Sequence, residues 1–131
     1  MTVVLGYPTG YEPDSQVVAR GKEKAKRTGC EVIVTNDPKE AVKGADVIYT
    51  DVWASMGKEK EKEERANKMK PYQVNRDFVK LTKEDYIFMH CLPAHRGEEV
   101  TNEVADSKNS VIFDQAENRM HTQKALMALT M

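Results

Sequence analysis

Residues 45–57 read ADVIYTDVWASMG. An apolar, β-branched run, Ala45 to Thr50, gives way to an acid, an indole, a hydroxyl and a thioether before Gly57. A short run bounded in this way reads as a buried strand that delivers the residues behind it to a sheet edge. Working outward, comparable runs occur at 3–5, 31–35, 86–90 and 110–114, and the segments between them are polar, charged and rich in helix formers. The punctuation agrees. Asp14 behind Glu12-Pro13 is placed to cap a helix, and Asp37-Pro38 reads as an N-cap with a first-turn proline. Gly29 and Gly44 fall where helices should stop. Strands alternating with helices require right-handed crossovers. The expected fold is therefore α/β, a Rossmann-like three-layer sandwich around a five-stranded, mostly parallel sheet in the order 3-2-1-4-5. Ligands of such sheets bind beyond the carboxyl ends of the strands. That rule singles out Pro8-Thr9-Gly10, Thr35-Asn36, residues 51–57 and His90-Cys91-Leu92-Pro93.

At 131 residues the chain fits one domain, and a chain of this size buries roughly two thirds of the surface its unfolded form exposes. Twenty basic against 21 acidic residues give a net charge of −1. No global field favours nucleic acid or an anionic membrane. Two cysteines, Cys30 and Cys91, are too few and too distant for a disulfide scaffold or a Cys-x-x-Cys site, which points to a reducing compartment and a cytoplasmic location. No run approaches a membrane span, and the first residues lack the basic region of a signal peptide.

Residues 58–70 form a charge run in which Glu61 with Arg65, and Glu64 with Lys68, stand at i, i+4 in the favourable order. The run reads as a solvated helix, or alternatively as a flap that closes over ligand. The tail from Ala125 to Met131 is apolar all round, which a surface helix of a complete domain should not be. It is either tucked against the sheet or crosses to another domain or subunit.

Asp51 follows a strand directly, so its carboxylate projects at the ligand edge or caps a turn. Ser55 can cap the next helix or bind a ligand, and Gly57 permits close approach of the backbone. Trp53 reads as packing. Cys30 reads as an inert core residue. Cys91 differs, lying between His90 and Leu92-Pro93 where an imidazole or a cationic substrate could favour thiolate. A Cys-His protease lacks its Gly-rich oxyanion turn here, and neighbouring strand residues point to opposite faces. A zinc site from His90, Cys91 and His95 fails on spacing and lacks a fourth ligand. Arg119 is expected about one turn inside the last helix, near its positive end, where an anion would bind. A salt bridge with Asp114 or Glu117 is the alternative, and His121 reads as a helix-surface residue.

Taken together, Gly10-Tyr11-Glu12-Pro13-Asp14, Thr35-Asn36-Asp37-Pro38, the 45–57 stretch, His90-Cys91-Leu92-Pro93 and Ala116-Glu117-Asn118-Arg119 resemble the ornithine carbamoyltransferase family, in family order along the whole chain. The resemblance covers the ornithine-binding domain, expected over residues 1–131. The Ser-x-Arg-Thr and His-Pro-x-Gln motifs by which the family's other domain binds carbamoyl phosphate do not occur here.

The resemblance implies attack of the ornithine δ-amine on carbamoyl phosphate, giving citrulline and phosphate, with no cofactor and no metal. It implies that Asp51 and Ser55 hold the α-amino end and that the Met56 backbone takes the α-carboxylate. Asp51 with Cys91 would face the reacting amine. Cys91, Leu92 and Arg119 would contact the carbamoyl group, with His90 supporting the same oxygen. The partners it implies are L-ornithine, and carbamoyl phosphate through the missing N-terminal domain. The chain by itself is expected to be inactive. The rival expectation is a non-catalytic, independently folding module that self-associates through the exposed interdomain face.

Overall fold

The computed structural model describes residues 1–53 and 62–131. Along the chain run β1 (Thr2–Gly6), α1 (Ser15–Thr28), β2 (Glu31–Thr35), α2 (Pro38–Val42) and β3 (Val47–Thr50). Then follow α3 (Lys62–Met69), a 3-10 turn (Lys70–Tyr72), α4 (Arg76–Val79), β4 (Ile87–His90), α5 (Asn102–Ala105) and α6 (Ile112–Thr130). The local signals act as read. Asp14 Oδ1 accepts from the Gln16 and Val17 amides at 2.8 and 3.0 Å. Asp37 Oδ1 accepts from Lys39 and Glu40 at 2.8 and 3.2 Å. Gly29 ends α1 in the left-handed conformation, φ 66°, which costs glycine nothing because it has no Cβ.

The chain is α/β with parallel strand pairing, but it departs from the expected five-stranded order. β1 pairs with β2, Thr2 opposite Glu31 through Gly6 opposite Thr35. β3 pairs with β4, Val47 opposite Ile87 through Thr50 opposite His90. The β3–β4 pair is incompatible with 3-2-1-4-5, and the two pairs form separate two-stranded sheets. The expected fifth strand at 110–114 shrinks to a single parallel bridge between Ser110 and Phe88. Only Val111 and Ile112 there are β-branched. The residues behind them, Asp114, Gln115 and Glu117, suit the first turns of a helix and its positive end. The helix therefore begins at Ile112, with the Gln115 amide bonded to the Val111 carbonyl at 2.8 Å.

The core lies on the β3–β4 side. Ile48, Val74, Phe78, Tyr86, Phe88, Val100, Val104 and Ile112 form one buried cluster, with Phe88 and Val100 wholly enclosed. The β1–β2 side is thinly covered, with Val3, Leu5 and Ile33 exposed and Ala25 the buried residue of α1. Between the sides runs a cleft of about 480 Å³ lined by Val4, Ala41, Ile48, Trp53 and Tyr72. Gly6 lets α2 come close, since a Cβ there would stand 2.8 Å from that of Ala41. Cys30 sits half-buried at the start of β2, outside the core cluster rather than in it. Among the described residues no helix is long and apolar enough to cross a membrane.

Candidate functional site

Parallel pairing in register, Thr50 opposite His90, makes Asp51 and Cys91 the first residues past two adjacent strand ends. Their side chains meet: the Cys91 thiol donates to Asp51 Oδ1 at 3.0 Å. The same oxygen accepts the Val52 amide at 2.7 Å, which fixes the carboxylate at the strand end. The Asp51 hydrogen bond, then burial, then the Asp51 charge push the Cys91 thiol up from its ordinary range, while the Tyr49 hydroxyl pulls it partly back. The thiol therefore stays protonated near neutrality, and the carboxylate carries the negative charge. The expectation that an imidazole favours thiolate does not hold. The pair is built to receive a cation or an amine rather than to act as a sulfur nucleophile.

His90 is fully buried, with a ring nitrogen within 4.8 Å of the Asp51 and Cys91 ligand atoms. Its Nδ1 accepts the Leu92 amide at 2.9 Å, so the ring proton lies on Nε2, which faces Glu99 Oε1 at 3.1 Å. Both nitrogens are committed inside the protein. From here His90 acts on the loop through the Leu92 amide. The Leu92 side chain packs against the core, and its backbone stands at φ 53°, a left-handed conformation uncommon for a branched residue.

Arg119 is the eighth residue of α6, two turns in, because the helix starts earlier than expected. Arg119 therefore lies beyond the first turn, where the helix's positive end acts. What places Arg119 at the site is a direct bond, Nη1 to the Cys91 carbonyl at 3.1 Å. Ser55 and Met56, expected at the amino-acid head group, lie outside the described residues, as do Gly57 and Glu61. Glu64 and Lys68 pair as expected, at 2.8 Å.

Two side chains to which the sequence reading assigned no role of their own, Gln115 and Tyr11, join separate elements. Gln115 accepts the His90 amide at 3.0 Å through Oε1 and reaches the Tyr49 hydroxyl at 3.3 Å through Nε2. This ties α6 to the ends of β3 and β4. Tyr11 carries the Arg65 guanidinium 5.2 Å and the Lys68 ammonium 5.7 Å above its ring, a cation–π contact joining the loop after β1 to α3. The DVW run pointed to the acid but gave no sign of Gln115, which is 66 residues from Tyr49.

Among the described residues, two groups bring three possible metal ligands within 4.8 Å, Asp51 with His90 and Cys91, and His95 with Glu98 and Glu99. In the first, a cation would compete for imidazole nitrogens that already serve Leu92 and Glu99. In the second, Glu99 Oε1 already accepts two hydrogen bonds.

Fold and site together define an α/β domain that presents an acid and a protonated thiol at the carboxyl ends of parallel strands, the place such folds use for small ligands. Over residues 1–130 the chain matches the family described as aspartate/ornithine carbamoyltransferase, Asp/Orn binding domain, and it belongs to that family. The ornithine carbamoyltransferase of Thermococcus kodakarensis is 61% identical over 129 residues, 98% of this chain and 41% of that protein. The catabolic ornithine carbamoyltransferase of Thermoplasma volcanium is 57% identical over 125 residues, 95% of this chain and 41% of that one. The solved ornithine carbamoyltransferase of Pyrococcus furiosus superposes with a TM-score of 0.91 at 59% identity, over 98% of this chain and 41% of that structure. The chain thus spans about two fifths of the curated relatives it matches.

Proposed function

We propose that this chain is the ornithine-binding half of an ornithine carbamoyltransferase, which converts carbamoyl phosphate and L-ornithine to L-citrulline and phosphate. The observation that carries the reading is the Cys91–Asp51 contact of 3.0 Å at two strand ends. An ammonium has no lone pair, so the δ-amine must lose a proton before it attacks. A carboxylate with a neutral thiol beside it can hold the cation, orient it and accept its hydrogen bonds as the proton departs. The nitrogen then bonds to the carbonyl carbon, and the carbon–oxygen bond to phosphate breaks. Negative charge grows on the carbonyl oxygen during attack. Arg119 spends one Nη1 donor on the Cys91 carbonyl and keeps others for that oxygen.

Asp51 with Ser55 at the α-amino group, and the Met56 backbone at the α-carboxylate, complete the ornithine contacts. Cys91 and Leu92 border the carbamoyl group. His90 supports the site by holding the Leu92 amide. Carbamoyl phosphate is gripped by the family's N-terminal domain, whose two phosphate motifs do not occur in residues 1–131. Two free cysteines fit the reducing cytoplasm. The same reading joins the two strand pairs into one Rossmann-like sheet, in the order β2-β1-β3-β4, across the cleft between Val4 and Ile48. An ornithine titration followed by NMR tests the proposal. Amides of residues 51–53 and 90–92 shift together, and citrulline forms only when the N-terminal part of a relative is added. Unmoved amides at millimolar ornithine would refute it.

The second reading is a non-catalytic module that associates through its apolar face. Leu126 is 62% and Leu129 85% exposed on α6, more than a solitary domain usually leaves uncovered.

A further inference from the structure

The loop carrying Cys91 and Leu92 is closed by one buried carboxylate. Glu99 is fully enclosed. Its Oε1 accepts the His95 amide at 2.6 Å and faces the His90 Nε2 at 3.1 Å, so a single oxygen ties both ends of the segment from His90 to His95. Its other oxygen is buried with no hydrogen-bond partner among the described residues. Glu99 is itself anchored, since its carbonyl accepts the Val74 amide at 2.9 Å and Val100 bridges Val74.

Burying a carboxylate with one oxygen unserved is unfavourable, and an apolar side chain of similar size would fill the space more cheaply. What an apolar side chain could not do is hold the imidazole proton on Nε2. With the proton there, Nδ1 is a lone pair, and that lone pair accepts the Leu92 amide and holds Leu92 in its left-handed conformation. If the ring took the other tautomer, an N–H would face an N–H, and the turn that aims Cys91 at Asp51 would open. We propose that Glu99 is a positioning residue for the Cys91–Leu92 loop: through the His90 tautomer it sets the distance between the thiol and Asp51. Glu99 touches no substrate. Its link to ornithine rests on the reading of Asp51 and Cys91 as the amine-facing pair.

The test uses the full chain with Cys30→Ser, so that Cys91 is the sole thiol. Nitrogen-15 shifts of the His90 ring report the tautomer, the pH profile of iodoacetamide alkylation reports the thiol's surroundings, and ornithine titration reports binding. Wild type shows the Nε2–H tautomer. Glu99→Ala, still folded by circular dichroism, mixes the tautomers and moves the alkylation profile toward that of an ordinary cysteine. It weakens ornithine about tenfold, as expected for the loss of about one hydrogen bond's worth of ordering. Glu99→Gln keeps a carbonyl oxygen for both donors and rescues affinity to within about threefold. If Glu99→Ala unfolds, Glu99→Asp, one methylene too short to reach both donors, takes its place. An Nδ1–H tautomer in wild type overturns the proposal, as does a folded Ala or Asp variant with unchanged alkylation. Should wild type ignore ornithine, the functional reading fails, and the tautomer and alkylation profiles still decide the role of Glu99.

Discussion

Replacing Asp51 by Asn removes one charge from the site and leaves its shape. The carboxylate is exposed, so the water limit of Coulomb's law governs. A δ-ammonium about 3 Å from it gains about 1.4 kcal/mol, and screening at physiological salt trims this little at contact range. That energy is about tenfold in Kd. The cleanest comparison is between ornithine and 2-aminopentanoate, which has the same carbon chain and head group but no terminal amine. Wild type should prefer ornithine by about tenfold or more, whereas Asp51→Asn should bind the two nearly alike. The Asn carbonyl can still accept the Cys91 thiol, so the loop keeps its place and the variant tests charge rather than structure. Titrations followed on the amides of residues 52–53 and 90–92 measure both constants in one protein. An Asn variant that keeps the full preference for ornithine would show that Asp51 does not face the δ-amine.

Three further outcomes follow from the geometry. Phe88→Ala opens the wholly buried centre of the β3–β4 core and should cost about 3–5 kcal/mol; a loss below about 1 kcal/mol in urea unfolding would place the core elsewhere. Arg96 grips Asp106 with two bonds of 2.6 and 2.7 Å, and the guanidinium holds that carboxyl below its usual range. A depressed folded pKa stabilises at pH values above the unfolded one, about 3.9 for Asp, and that contribution is lost as pH falls through the folded value. Asp106→Asn should therefore lower the unfolding midpoint at pH 7 and converge with wild type in acid; a gap that persists unchanged to pH 2 would refute the linkage. Finally, Leu126 and Leu129 are exposed on α6, so the weight-average mass in sedimentation should rise with concentration. The double variant Leu126→Lys with Leu129→Lys should abolish that rise, and an unchanged mass across concentrations in wild type would rule out self-association.

What was legible in the sequence is what local chemistry encodes. Asp14 and Asp37 cap the amides two and three residues on, and Gly29 needs only its own φ. Asp51 and Cys91 were readable because each directly follows an apolar run, and strands in parallel register bring such positions together. Partners fixed by tertiary packing were not. Glu99 lies in a loop, and nothing in its neighbours says that it will be buried against His90. The fifth strand failed because Val111 and Ile112 are outweighed by the helix formers behind them, and that one shift moved Arg119 from about one turn to about two turns inside α6.

The distribution of order within the chain bears on the proposed function. The acid, the thiol and the loop that aims them rest on the buried side, where Phe88, His90, Glu99 and Val100 are all enclosed. Their geometry therefore has the support of the core and can persist without a second domain. Arg119 comes from the helix whose outer half leaves Leu126, Met127 and Leu129 exposed. Its guanidinium is steadied at the site by one bond to the Cys91 carbonyl. Holding an amine needs a fixed negative charge, which the core side supplies. Stabilising the oxygen of a tetrahedral intermediate needs donors preorganised in a dry site, and an exposed arginine on a partly uncovered helix is not that. Covering α6 would both bury its apolar face and fix Arg119, so catalytic competence and the burial of this helix should arrive in the same association event.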